Sequence, residues 1–86
     1  MTFSIEYDRQ PLKFLKHQDK HVVKRIMDKI DEMLLSDPVP HNAVPIVGEH
    51  RVFRLRIGNL RALYRVDHQT KRIVIFALDK RARVYD

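Results

Sequence analysis

The stretch "RVFRLRIGNLRALYRV", residues 51–66, alternates arginine with apolar residues, breaks at Gly58-Asn59 and alternates again. Alternation at period two marks a half-buried strand, and Gly-Asn is a pair that admits the backbone of a two-residue hairpin turn. Counting outward from the turn sets Ile57 opposite Leu60, Arg56 opposite Arg61, Leu55 opposite Ala62, Arg54 opposite Leu63 and Phe53 opposite Tyr64. Phe53, Leu55, Ile57, Leu60, Ala62, Tyr64 and Val66 then share an apolar face, and Arg54, Arg56, Arg61 and Arg65 share the opposite one. Arg56 facing Arg61 is repulsive unless water or an anion intervenes. A guanidinium grips phosphate through two parallel hydrogen bonds, so this face suits an RNA or DNA backbone. A solvated basic surface with no dedicated partner accounts for the same residues.

Outward from the hairpin, His68-Gln69-Thr70-Lys71 separates it from a third strand at 72–80, apolar on both faces from Ile73 to Leu78 as a central strand is. The three form an antiparallel meander. Toward the N-terminus, Phe3, Ile5 and Tyr7 alternate in a short strand over residues 2–8, and Pro11 opens a short helical turn with Leu12 and Leu15. From Asp19 to Ser36 the residues Val22, Val23, Ile26, Met27, Ile30, Met33 and Leu34 recur at helical spacing. Asp19 is placed to cap this helix, and Pro38 ends it through its constraint on Asp37. Residues 37–50 hold three prolines and a glycine, and read as a connecting loop.

The order βααβββ predicts an α+β domain spanning 1–86. It has a small, mostly antiparallel four-stranded sheet, with a helical pair covering one face and the other face left open.

The net charge of +6 is unevenly spread. Residues 1–50 carry seven Lys/Arg and eight Asp/Glu, a net of −1; residues 51–86 carry ten Lys/Arg and three Asp/Glu, a net of +7. Such segregation points to a polyanionic partner, either nucleic acid or an acidic protein segment. There are no cysteines, which excludes a disulfide framework, a zinc ribbon and thiol chemistry. His17 and His21 are four apart, but Asp19 begins the helix between them and no third ligand is evident, so no metal is expected. His50 and His68 sit in loops, as proton donors or as ordinary polar residues. The N-terminus lacks an apolar leader and no stretch is long enough for a membrane span, so an intracellular, cytoplasmic protein without membrane association is expected.

Two separated motifs, "VFRLRIGNLRALYRVD" and "IFALDKRARVYD", resemble the RelE/ParE superfamily of type II toxin–antitoxin toxins. The likeness is nearest to RelE, with its R-x-R-[IV]-G strand pattern and terminal [HK]-R-x-x-V-Y. The order of elements and the length agree, and Gly48 stands where a loop glycine precedes the hairpin. The resemblance implies a ribosome-dependent endoribonuclease that cuts mRNA in the A site. The ribose 2′-hydroxyl attacks the adjacent phosphate, with no metal and no cofactor. A cognate RelB-like antitoxin wraps the toxin in a hetero-oligomer.

By position, the resemblance assigns Arg56, Arg61, Arg81 and Tyr85 to catalysis and Arg54, Arg65, Lys80 and Arg83 to RNA binding. In the RelE pattern lysines stand at positions 54 and 56; a guanidinium, with a pKa above about 12, does not take up the role of a base. Lys80 and Tyr85 are the titratable candidates for that role. A ParE-like toxin that blocks a DNA topoisomerase, and a catalytically weak relative that binds only its antitoxin, are the alternatives.

Overall fold

The computed structural model describes residues 2–80. The chain runs β1 (Ser4–Tyr7), α1 (Arg9–Lys16), α2 (Lys20–Leu34), β2 (Val44–Pro45), β3 (Val52–Ile57), β4 (Leu60–Asp67) and β5 (Arg72–Lys80). Asp8 caps α1, its carboxylate accepting the Arg9 N–H at 2.8 Å. The helix therefore starts two residues before Pro11, which sits in the first turn where its missing N–H is not needed. Asp19 occupies the N-cap position of α2 as expected, yet its side chain makes no cap bond.

The strands lie in the order β1-β5-β4-β3-β2. Pairing is antiparallel throughout except that β1 runs parallel to β5. The β3–β4 hairpin has the register counted from its turn: Ile57↔Leu60, Arg56↔Arg61, Leu55↔Ala62, Arg54↔Leu63 and Phe53↔Tyr64. Gly58 turns the chain at φ +59, a conformation that costs a residue with a Cβ.

The sheet has five strands where four were expected. The extra one is Val44–Pro45, inside the presumed loop; it pairs only with β3, and Pro45, lacking an N–H, belongs at such an edge.

The helices cover one face. Ile26, Ile30 and Leu34 of α2 and Leu15 of α1 pack on Leu55, Ile57, Leu60, Ala62, Tyr64, Val66, Ile73, Ile75 and Leu78, all buried. Burial of this apolar set drives folding, at roughly 25 cal/mol per Å² removed from water.

One irregularity governs the site. Leu63 pairs with Ala77 and Tyr64 with Ile75, leaving Phe76 as the extra residue of a β-bulge. The bulge switches the parity of β5. Ile73 and Ile75 face the helices before it, and Leu78 faces them after it.

Candidate functional site

On the face away from the helices, Arg54, Arg56 and Arg61 converge on a pocket of about 320 Å³, completed by Asn42, Val44 and Gly58. Hairpin geometry places the arginines: Arg56 and Arg61 are cross-strand partners, and Arg54 lies two residues along β3. Val44 is the cross-strand neighbour of Arg54 on the other side. Arg54 and Arg61 are half-buried, and Arg56 is exposed. Arg65 lies further along β4, its guanidinium 5.2 Å from the centre of the Phe76 ring. Stacked on an aromatic ring, it keeps its edge donors available to an anion.

The bulge decides which C-terminal residues share this face. Asp79 pairs with Arg61 and so lies on the arginine side, while Lys80 pairs with Leu60 on the helix-covered side. Lys80 lines a separate cavity of about 520 Å³, whose rim also carries Arg25 and Lys29 and whose floor includes Phe14, Ile26 and Leu60. The structure thus brings Arg54, Arg56, Arg61 and Arg65 to one face and does not bring Lys80 to it. Arg81, Arg83 and Tyr85 lie outside the described residues.

Arg72 on β5 and Lys71 just before it make their contacts away from this pocket. Arg72 grips Glu6 with two bonds, Nε to Oε2 at 2.6 Å and Nη2 to Oε1 at 2.9 Å. Those hydrogen bonds hold the Glu6 carboxyl below its usual range and raise Arg72 further. Lys71 sits 5.1 Å above the Phe3 ring, and His68 meets the same ring edge-on at 5.9 Å. Among the described residues no cluster of three His, Asp or Glu is arranged to hold a metal ion.

The loop that carries Asn42 is tied down. The Tyr64 hydroxyl, reaching from the sheet, donates to the Pro38 carbonyl at 2.8 Å. The Val39 N–H donates to Asp37 Oδ1 at 3.1 Å, and the Ala43 N–H donates to the Pro40 carbonyl at 2.9 Å. Burial pushes the Tyr64 phenol well above its ordinary pKa, with Asp37 adding to the effect, so this anchor stays protonated at neutral pH.

Sequence reading missed three members of the site. Asn42 and Val44 carry no local signal, because a loop residue's neighbours are set by the tertiary fold. Asp79 did have one: the spacing of Ile73, Ile75 and Leu78 changes from two to three, which is the trace of a bulge.

Comparison with known structures finds this fold in toxin–antitoxin complexes. An archaeal RelE–RelB complex from Pyrococcus horikoshii contains a chain 27% identical, matched over 98% of this chain and 100% of that one with a TM-score of 0.74. A RelB–RelE complex from Methanococcus jannaschii contains one 28% identical, matched over 94% and 95% with a TM-score of 0.65. The RelBE2 complex from Mycobacterium tuberculosis is similar in fold, at 21% identity over 94% and 100% with a TM-score of 0.79. Among curated proteins there is no match. The family model for the ParE toxin of the type II toxin–antitoxin system parDE matches residues 5–85, nearly the whole chain. The chain therefore belongs to the ParE toxin family of type II toxin–antitoxin systems.

Proposed function

We propose that this toxin is a ribosome-dependent endoribonuclease of the RelE kind, whose arginine face holds the mRNA backbone at the scissile phosphate. The observation that carries this reading is the convergence of Arg54, Arg56 and Arg61 on one pocket. Three guanidinium groups around a volume of about 320 Å³ make a preorganised site for a phosphodiester and the nucleotide beside it.

In the proposed reaction the 2′-hydroxyl oxygen attacks the adjacent phosphorus. The P–O5′ bond breaks, leaving a cyclic phosphate on one fragment and a 5′-hydroxyl on the other. Negative charge builds on the phosphoryl oxygens, and Arg56 and Arg61 neutralise it in place without reorganising. Arg54 and Arg65 hold neighbouring phosphates. The reaction also needs a group to take the 2′-hydroxyl proton and one to protonate the leaving oxygen. Lys80 lies on the helix-covered side, so of the two titratable candidates Tyr85 is assigned the proton transfer: its phenolate takes the 2′-hydroxyl proton and the phenol so formed returns a proton to the leaving O5′, with Arg81, four residues earlier in the sequence, as a further cation.

Neutralisation by an antitoxin belongs to the same reading. The similar chains are found with RelB-type partners, and a partner with an acidic stretch is complementary to the arginine face.

A second reading has its own support, because the matching family model describes a ParE toxin. In that case the arginine face would bind a DNA topoisomerase and no RNA would be cut. Programmed ribosomes incubated with the toxin, with RNA ends mapped, decide between the two when topoisomerase supercoiling is assayed in parallel. A-site cuts with unimpaired supercoiling are expected. No cut, with loss of supercoiling, would overturn the nuclease reading.

A further inference from the structure

The arginine pocket has a side that the phosphate chemistry leaves unexplained. Besides the arginines, Asn42 and Val44 line it, Val44 as the cross-strand neighbour of Arg54. Val44 is 42% exposed, a β-branched side chain turned to solvent at the edge of the sheet. Asn42 carries the side-chain amide of the lining, and no hydrogen bond among the described residues engages it. An amide offers a donor and an acceptor side by side, the pattern that pairs with a base edge; it does nothing for a phosphate that the arginines do not do better.

The placement of Asn42 is held from three directions. Tyr64 anchors Pro38 from the buried side of the sheet. The Ala43 N–H closes a turn onto the Pro40 carbonyl, with Asn42 inside it. Val44 and Pro45 then pair with Arg54 and Phe53. Pro38, Pro40 and Pro45 further restrict the backbone. A recognition residue on a loop gains selectivity when its position is fixed before the ligand arrives.

We propose that Asn42, with Val44 as the apolar wall against the ring, reads the base of the nucleotide whose phosphate the arginines hold, and thereby sets the pocket's nucleotide preference. This rests on the reading of the arginine face as a phosphodiester site. The amide matches an amino donor next to a ring-nitrogen acceptor, a pair that cytosine offers on one edge and adenine on two, N6 with N1 and N6 with N7; adenine also sets the larger ring against Val44, so an adenosine nucleotide is the preferred occupant. Asn42 is a specificity residue and takes no part in bond breaking.

Binding of the four nucleoside 5′-monophosphates to the intact toxin tests this without requiring cleavage. Titrations followed by NMR, with the Asn42 side-chain amide as reporter, are expected to give adenosine monophosphate about fivefold or more tighter than the pyrimidine nucleotides. Asn42→Ala flattens the order while phosphate-dominated affinity remains. Asn42→Asp, which replaces the donor with a second acceptor, shifts preference toward guanine, whose N1–H and N2–H groups are both donors. Mapping cuts on programmed ribosomes with the same variants reads the preference in the proposed reaction. Equal binding of all four nucleotides by the wild type, or an unchanged order in Asn42→Ala, overturns the assignment. A wild type that binds nucleotides selectively but cuts nothing would sink the nuclease reading and leave the base-reading pocket standing.

Discussion

Two tyrosines illustrate how much a single buried hydroxyl depends on its partner. Tyr7 on β1 buries its hydroxyl without a hydrogen bond, and desolvation, helped by Asp31, pushes its pKa up to about 12. Tyr64 spends its hydroxyl on Pro38. Tyr7→Phe removes an unpartnered polar atom, so the thermal midpoint at neutral pH is expected to hold or rise. Tyr64→Phe loses a made bond and is expected to lower stability by about 1 kcal/mol. The pH dependence has a definite sign. Tyr7 titrates higher in the folded chain than its ordinary 10.0, so its contribution is complete below pH 10 and is lost as pH rises toward about 12. Tyr7→Phe should therefore flatten the alkaline decline, as melts at pH 7 and pH 11 by circular dichroism would establish. Within the arginine pocket, Arg61→Ala is expected to lower RNA cleavage by roughly 10²-fold or more, with Arg61→Lys recovering part of it through charge alone. Lys80→Ala, on the other side of the sheet, should leave the single-turnover cleavage rate unchanged; an equal loss in both variants would remove the face assignment made from the bulge.

Among the elements, β5 is the one whose exact course matters most, and it is held by a side chain where its neighbour strand stops. β1 pairs with β5 up to Tyr7 and Ile75, and the Asp8 N–H still donates to the Ile75 carbonyl at 2.9 Å. Beyond that point α1 takes over, and Gln10 supplies the missing ladder. Its Nε2 donates to the Leu78 carbonyl at 2.9 Å, and its Oε1 accepts the Leu78 N–H at 2.8 Å. Gln10→Ala leaves both backbone groups without a partner and is expected to destabilise the chain by about 1–3 kcal/mol, with the Leu78 amide exchanging faster than its neighbours in β5. Gln10→Glu keeps the acceptor and loses the donor, so an intermediate effect is expected. The elements also differ in how plainly the sequence declared them. The β3–β4 hairpin was legible to the residue, since a two-residue turn fixes register and Arg54, Arg56 and Arg61 follow from counting. The parallel partnership of β1 with β5 was not, because alternation in Ser4–Tyr7 identifies a strand but no partner. Val44–Pro45 was hidden by Pro45 and by Pro38 and Pro40 before it, which together read as loop; Pro45 is tolerated in a strand because this one is an edge. Lys80 was grouped with the RNA-binding residues by its place in the C-terminal motif, which says nothing of the bulge at Phe76; that one extra residue sets Lys80 on the face opposite the arginines.

At the scale of the whole molecule, the segregated charge of the sequence resolves into a smaller working set. Of the ten cations in residues 51–86, Arg72 is taken by Glu6, Lys71 lies over Phe3 and Lys80 is on the helix side. Arg54, Arg56, Arg61 and Arg65 share the face opposite the helices. This distinction has a measurable consequence, because each phosphate neutralised on a single strand releases counterions and adds about −0.7 to the slope of log K against log salt. Four contacts give a slope of about −3, and two more from Arg81 and Arg83 give about −4. If all ten cations contributed as one diffuse basic surface, the slope would be about −7. Fluorescence anisotropy of a short single-stranded RNA across a salt series is expected to return a value near −3 to −4. The double variant Arg54→Ala, Arg61→Ala should reduce its magnitude by about 1.4, while Lys80→Ala should leave it unchanged. A slope near −7 that drops equally with Lys80→Ala would mean that the chain attracts RNA by net charge alone, and that the arginine face has no special part in it.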